Sequence, residues 1–157
     1  MNPEEGELRP QLIDRFGLCA HVVALSTVAE RIELLRRLEA FEADPRAFCE
    51  RWKTDQEELE QRIESARARI ASVTVPDECL AAIVGLANTL GLEGHRGEIV
   101  LMRATRARSA LFDRSVVEPS DVRAVAPLAL AHRMARQPFD DPAAGHERLT
   151  RALENLE

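Results

Sequence analysis

At 157 residues and 17.5 kDa the chain is long enough for one ordinary domain or a small pair, with a buried core. A hydrophobic fraction of 45% with 31% charged residues excludes a disordered polypeptide, and no apolar run approaches the roughly 18 residues of a membrane span. The formal net charge of −6 argues against general binding to a nucleic-acid backbone, and 4% aromatic residues without a tyrosine offer no stacking platform for bases.

In chain order, residues 1–7 carry Asn, Pro and Gly, the chemistry of a loop, and residues 8–16 suit a short helix with Pro10 near its start. Gly17 ends that turn. Residues 18–25 (LCAHVVAL) are the one strand candidate: short, apolar and partly β-branched. No other segment offers a partner, so this strand is expected to be poorly paired or edge-exposed, the remnant of a sheet-containing domain.

From Ser26 onward the period becomes helical. Thr27 with Glu30 forms a capping box, followed by Val28, Ile32, Leu35, Leu38 and Phe41 as an apolar stripe. Asp44-Pro45 ends that helix and opens the next, which carries Phe48 and Trp52. Thr54 or Asp55 is expected to cap a further helix with the stripe Leu59, Ile63, Ala66 and Ile70, acidic at its start and basic at Arg67 and Arg69. Val75-Pro76-Asp77 opens another through Leu80, Ile83, Val84, Ala87 and Leu90, closed by Gly91. Residues 92–95 read as a tight connection and residues 97–112 as helix. Residues 115–119 are an extended link, after which Ser120 caps a last long helix, bent at Pro127 and ended by Pro138. Residues 140–157 are a weak terminal helix or a tail. The fold class is therefore mainly α.

A search for catalytic signatures finds no GxxxxGK[ST], HExxH or GxSxG. Cys19, Cys49 and Cys79 are an odd number without a CxxC pair, which fits neither a disulfide framework nor a zinc site and points to a reducing, cytoplasmic compartment. Cys19 and His21 alternate onto one face of the strand candidate and read as a core pair rather than a metal site. His95, His132 and His146 lie on separate segments. No metal site is expected.

Two stretches are more particular. The opening MNPEEGELRPQLIDRFGL resembles the segment of the magnesium-chelatase ATPase (I) subunit and its cobalt-chelatase relatives that runs from the end of the sensor-1 strand to the arginine finger. Gly94-His95-Arg96-Gly97-Glu98 is similar to the sensor-2 motif of the same AAA+ family, and the helical order between and after them resembles that family's lid. The resemblance implies residues 1–25 as the end of an AAA+ core and residues 26–157 as a helical linker and lid. It implies Asn2 as the sensor-1 residue that orients water near the γ-phosphate, and Arg15 as the finger presented to a neighbour's nucleotide. Asp14 would hold that subunit interface, and Arg96 would be the nucleotide-binding arginine of sensor 2. Glu98 is read as a partner of the helix dipole, not a base.

The phosphate loop and Walker-B acid that such an ATPase needs have no counterpart in this sequence. The chain is therefore expected to be a C-terminal fragment, inactive and without bound ATP or Mg²⁺ by itself, of a parent that uses both. The resemblance implies a parent ring of identical subunits, a hexamer, working with chelatase D and H subunits to insert Mg²⁺ into protoporphyrin IX for chlorophyll synthesis. The alternatives are a cobalt-chelatase component, a fused I–D relative, an AAA+ chaperone of the MoxR type, or a non-catalytic helical interaction module.

Overall fold

Thr27 begins the first helix as the capping box predicts: its hydroxyl donates to Glu30 Oε2 at 2.6 Å and accepts from the Glu30 amide at 3.3 Å. The computed structural model describes residues 12, 15–20, 22–134 and 144–155. The helices are α1 (Val28–Ala43), α2 (Pro45–Arg69), α3 (Asp77–Thr89), α4 (Arg96–Leu111), α5 (Pro119–Leu130) and α6 (Ala144–Glu154), with 3₁₀ turns at Ile70–Ser72 and Ala131–Arg133. The chain divides into two compact units, one of Met1–Ala20 with Ala66–Glu157 and the other of His21–Ser65.

In the smaller unit, Asp44 Oδ1 accepts from the amides of Arg46 and Ala47, both at 3.0 Å, so one residue ends α1 and caps α2. Phe41 meets Phe48 edge-on at 5.6 Å, Phe48 lies 6.3 Å from Trp52, and the Arg37 guanidinium sits 5.1 Å over the indole. The stripe of Val28, Ile32, Leu35, Leu38 and Phe41 nevertheless stays exposed, and α1 buries none of its side chains. The expected helix start at Thr54 or Asp55 does not occur. No Gly or Pro interrupts residues 46–69, so hydrogen bonding continues through Thr54 and α2 forms one helix of 25 residues.

The core of the larger unit is built by α3, α4, α5 and α6, around Cys79, Ile83, Leu86, Leu101, Val122, Ala126, Leu130 and Leu149. Ala66 in the last turn of α2 joins it. The extended link after α4 is held by a short parallel bridge: Thr74 N–H donates to Ser115 O and Val117 N–H to Thr74 O, each at 2.9 Å. Asp113 closes α4 with φ 58°, a left-handed position that Asp tolerates, and the amides of Asp113 and Arg114 bond back to Ala110 and Ser109. That turn aims Arg114 at Asp121. The buried Asp121 carboxylate accepts from Arg108, from Arg114 at 2.5 Å and from the Glu118 amide at 3.0 Å.

Three boundaries differ from the sequence reading. Residues 18–20 and 22–25 form no strand; Val22 is 90% exposed, and Cys19 N–H bonds to Leu128 O at 2.8 Å rather than to a neighbouring strand. A lone strand has nothing to pair with, so the described residues take no regular secondary structure. Helix α5 starts at Pro119, with Glu118 rather than Ser120 as its N-cap, because proline favours the first helical position. It gives way to the 3₁₀ turn after Leu130, so the long helix expected to reach Pro138 stops earlier, and residues 135–143 lie outside the described residues. The terminal segment is a helix, α6, with Leu149 and Ala152 buried.

Candidate functional site

The turn between α3 and α4 is set by two glycines. Gly91 (φ 64°) and Leu92 complete a Schellman motif, with Gly91 N–H donating to Asn88 O at 3.1 Å and Leu92 N–H to Ala87 O at 3.0 Å. Gly94 (φ 69°) then turns the chain into α4, where His95 is the N-cap and Arg96 the first helical residue. His95 Nδ1 and Glu98 Oε2 are 3.0 Å apart, so Glu98 engages its own helix start, in keeping with a dipole partner.

Arg96 is exposed at this helix start, and Gly97 beside it is buried. A Cβ on Gly97 would sit 3.0 Å from Leu92 Cδ1 and 3.5 Å from both Arg133 Cδ and Leu130 Cδ2. The missing side chain lets the first turn of α4 lie directly on the end of α5. A guanidinium at the positive end of a helix opposes the macrodipole, and an anion placed there would relieve both charges.

Arg15 is exposed in a turn in which its amide donates to Leu12 O at 3.0 Å. The two residues after it are gripped from the end of α5. Arg133 Nη2 donates to Phe16 O at 2.5 Å, and Nη1 to Gly17 O at 3.1 Å and to Ala129 O. His132 Nε2 lies 3.2 Å from Phe16 O and 2.5 Å from Arg133 Nη1, and its tautomer decides whether it donates to the first or accepts from the second. Arg133 thus bonds the segment after Arg15 while its stem lies beside the start of α4 that bears Arg96. Asn2 and Asp14 lie outside the described residues.

The sequence reading placed His132 only among histidines on separate segments, and it missed Arg133. The available signal was a His-Arg pair directly after an apolar helix, where basic side chains find free carbonyls. It also missed the Arg108–Asp121–Arg114 cluster, which joins α4 to α5. Among the described residues, no group of three or more His, Cys, Asp or Glu could hold a metal ion, and no helix is long and apolar enough to cross a membrane.

Among known families, the AAA lid domain matches residues 80–152. The chain is 46% identical to the magnesium-chelatase 38 kDa subunit of Acidiphilium rubrum, over 99% of the chain and 45% of that protein. Against the subunit of the same name from Rhodobacter capsulatus it is 40% identical, over 98% of the chain and 43% of that protein. Against the magnesium-chelatase subunit ChlI homolog of Methanocaldococcus jannaschii it is 39% identical, over 98% and 42%. The chain therefore spans less than half the length of these relatives. A crystal structure of a candidate ATPase from Cytophaga hutchinsonii superposes with a TM-score of 0.69 at 19% identity, covering 97% of the chain and 49% of that molecule, a likeness of fold.

Proposed function

The chain belongs to the family of the magnesium-chelatase ATPase subunits and carries an AAA lid domain, and from that membership we propose that it works as the lid and finger-bearing part of an ATP-driven motor. Arg96 reaches the phosphates of the nucleotide from the lid. Arg15 acts as the arginine finger on the nucleotide of the neighbouring subunit, with Asp14 keeping that interface in register. Asn2 orients the attacking water. In phosphoryl transfer the reacting oxygens gather charge, and planar guanidinium forks stabilise it through paired hydrogen bonds.

The residues present fit the nucleotide in part. Exposed arginines suit the outer phosphate oxygens, whereas the sequence holds no GxxxxGK[ST] loop to cradle them. The chain's own share is therefore phosphate contact and closure of the site, while the loop and the nucleotide's Mg²⁺ ligands come from another segment of the motor. The parent is a ring of identical subunits that couples ATP hydrolysis to insertion of substrate Mg²⁺ into protoporphyrin IX, together with D and H subunits. None of the residues named here handles the porphyrin.

The observation that carries this reading is the convergence on Arg133 of the backbone after Arg15 and the start of α4 that bears Arg96. The test is Arg15→Ala in the assembled ATPase. Nucleotide binding stays largely intact while hydrolysis falls about 10³-fold or more, as for fingers supplied in trans. Mixing this variant with a phosphate-loop variant restores part of the activity, because each completes the other's shared site. Wild-type hydrolysis by Arg15→Ala in the ring would end the finger assignment.

A further inference from the structure

Arg133 is placed to do more than end a helix. Its guanidinium spans three carbonyls: Phe16 O at 2.5 Å, Gly17 O at 3.1 Å, and Ala129 O on α5. Its aliphatic stem lies under the start of α4, where Cδ is 3.5 Å from the position a Cβ of Gly97 would take. The next backbone bond along the gripped segment, Cys19 N–H to Leu128 O at 2.8 Å, fixes the same stretch to α5. One side chain therefore lies beside the residue next to Arg96 and holds the two residues that follow Arg15.

We propose that Arg133 is a positioning residue for Arg15, tying the finger's backbone to the lid helix so that movement of α4 at a nucleotide moves the finger with it. This rests on the reading of Arg15 and Arg96 given above. The physical basis is the fork. A planar guanidinium bonds several carbonyls at fixed angles, whereas an ammonium is a point charge that cannot keep Phe16, Gly17 and Ala129 in one arrangement. The first turn of α4 packs against the end of α5 beside Gly97, and a close-packed helix junction passes a shift of one helix on to the other. Gly97→Ala perturbs the same junction from the opposite side without altering a charge.

The test has two arms. In the 157-residue chain, Arg133→Ala and Arg133→Lys should each raise amide exchange at Cys19, and tryptic cleavage after Arg15, about tenfold, since charge-assisted bonds to two carbonyls are lost or loosened. The helix signal should melt within a few degrees of wild type. In the assembled ATPase, the two Arg133 variants should lower kcat several-fold with the KM for ATP within about twofold, and Lys should fail to rescue; Gly97→Ala, which lies next to Arg96, should lower kcat and raise the KM as well. Arg15→Ala combined with Arg133→Ala should be no slower than Arg15→Ala alone, because Arg133 acts through Arg15.

Unchanged exchange at Cys19 and unchanged cleavage after Arg15 would overturn the proposal, and so would a double variant whose losses multiply. Full activity of Arg15→Ala would instead overturn the finger reading itself, so the two failures are distinguishable.

Discussion

Replacing Asp121 is the sharpest test of what holds the lid together. Its carboxylate is fully buried and accepts from Arg108, from Arg114 and from the amide of Glu118, the N-cap of α5. Asp121→Ala leaves two arginines facing the vacated site and removes the acceptor at the helix start. Breaking a buried charge pair costs about 3–5 kcal/mol. The two arginine side chains keep 30% and 27% of their exposure and can partly rehydrate, which holds this contribution near the lower end of that range. Loss of the cap adds about 1 kcal/mol. The expected total is about 3–4 kcal/mol, or a fall in Tm of about 15 °C or more for a unit of this size. Asp121→Asn retains an oxygen for the Glu118 amide and should cost about half as much. Guanidinium titration followed by circular dichroism measures both, and Trp52, the sole tryptophan, reports the smaller unit separately. A loss below about 1 kcal/mol for Asp121→Ala, with an unchanged denaturant slope, would refute this account of the cluster.

Two further outcomes are expected. Cys19 and Cys49 are exposed and should react quickly with a thiol reagent, while Cys79 reacts only after unfolding, because burial, and then the charges of Glu78 and Asp121, push its thiol pKa up; three fast thiols per chain would contradict the buried position. The Thr27 hydroxyl and then its amide hold the Glu30 carboxyl below its ordinary pKa, so the stability it adds is present above the unfolded value and lost as pH falls through the lower folded one. The first turn of α1 should therefore loosen on acidification, and Thr27→Val should raise the Glu30 titration midpoint measured by NMR. The same midpoint in both proteins would mean the box does not form in solution.

What was legible in the sequence was local chemistry. The Thr27–Glu30 box, the Asp44 stop and restart, the Gly91 closure and the helix opening near Gly97 all follow from interactions between residues no more than five apart in the chain. What was not legible depended on distant partners. Residues 18–25 have the composition of a strand, but a strand is defined by a neighbour, and none is present among the described residues. The stripe on α1 has the period of a core-facing helix, yet period cannot say whether a covering surface exists, and these side chains stay exposed. Thr54 and Asp55 are good capping residues that cap nothing, because no breaker stops the helix before them. In the candidate site, Arg15 and Arg96 were found by resemblance, while Arg133 was invisible because its partners lie 116 and 117 residues away.

The pairing of Arg96 with Gly97 shows how one local choice serves two demands. A helix start that presents a cation toward a phosphate has to be held firmly, or the guanidinium fork loses its angles. Firm holding here means close packing of the first turn of α4 on Leu92, Leu130 and Arg133; a Cβ at position 97 would meet the last two at ordinary contact and press on Leu92 Cδ1 at 3.0 Å. Glycine is a poor helix former, costing about 1 kcal/mol relative to alanine in a helix interior, and its place in the first turn is explained by that contact rather than by propensity. The same packing runs beside Arg133, whose guanidinium holds the carbonyls after Arg15. If Arg96 and Arg15 act as proposed, one packed junction holds the first and is tied to the second, and a substitution at Gly97 should disturb the two together.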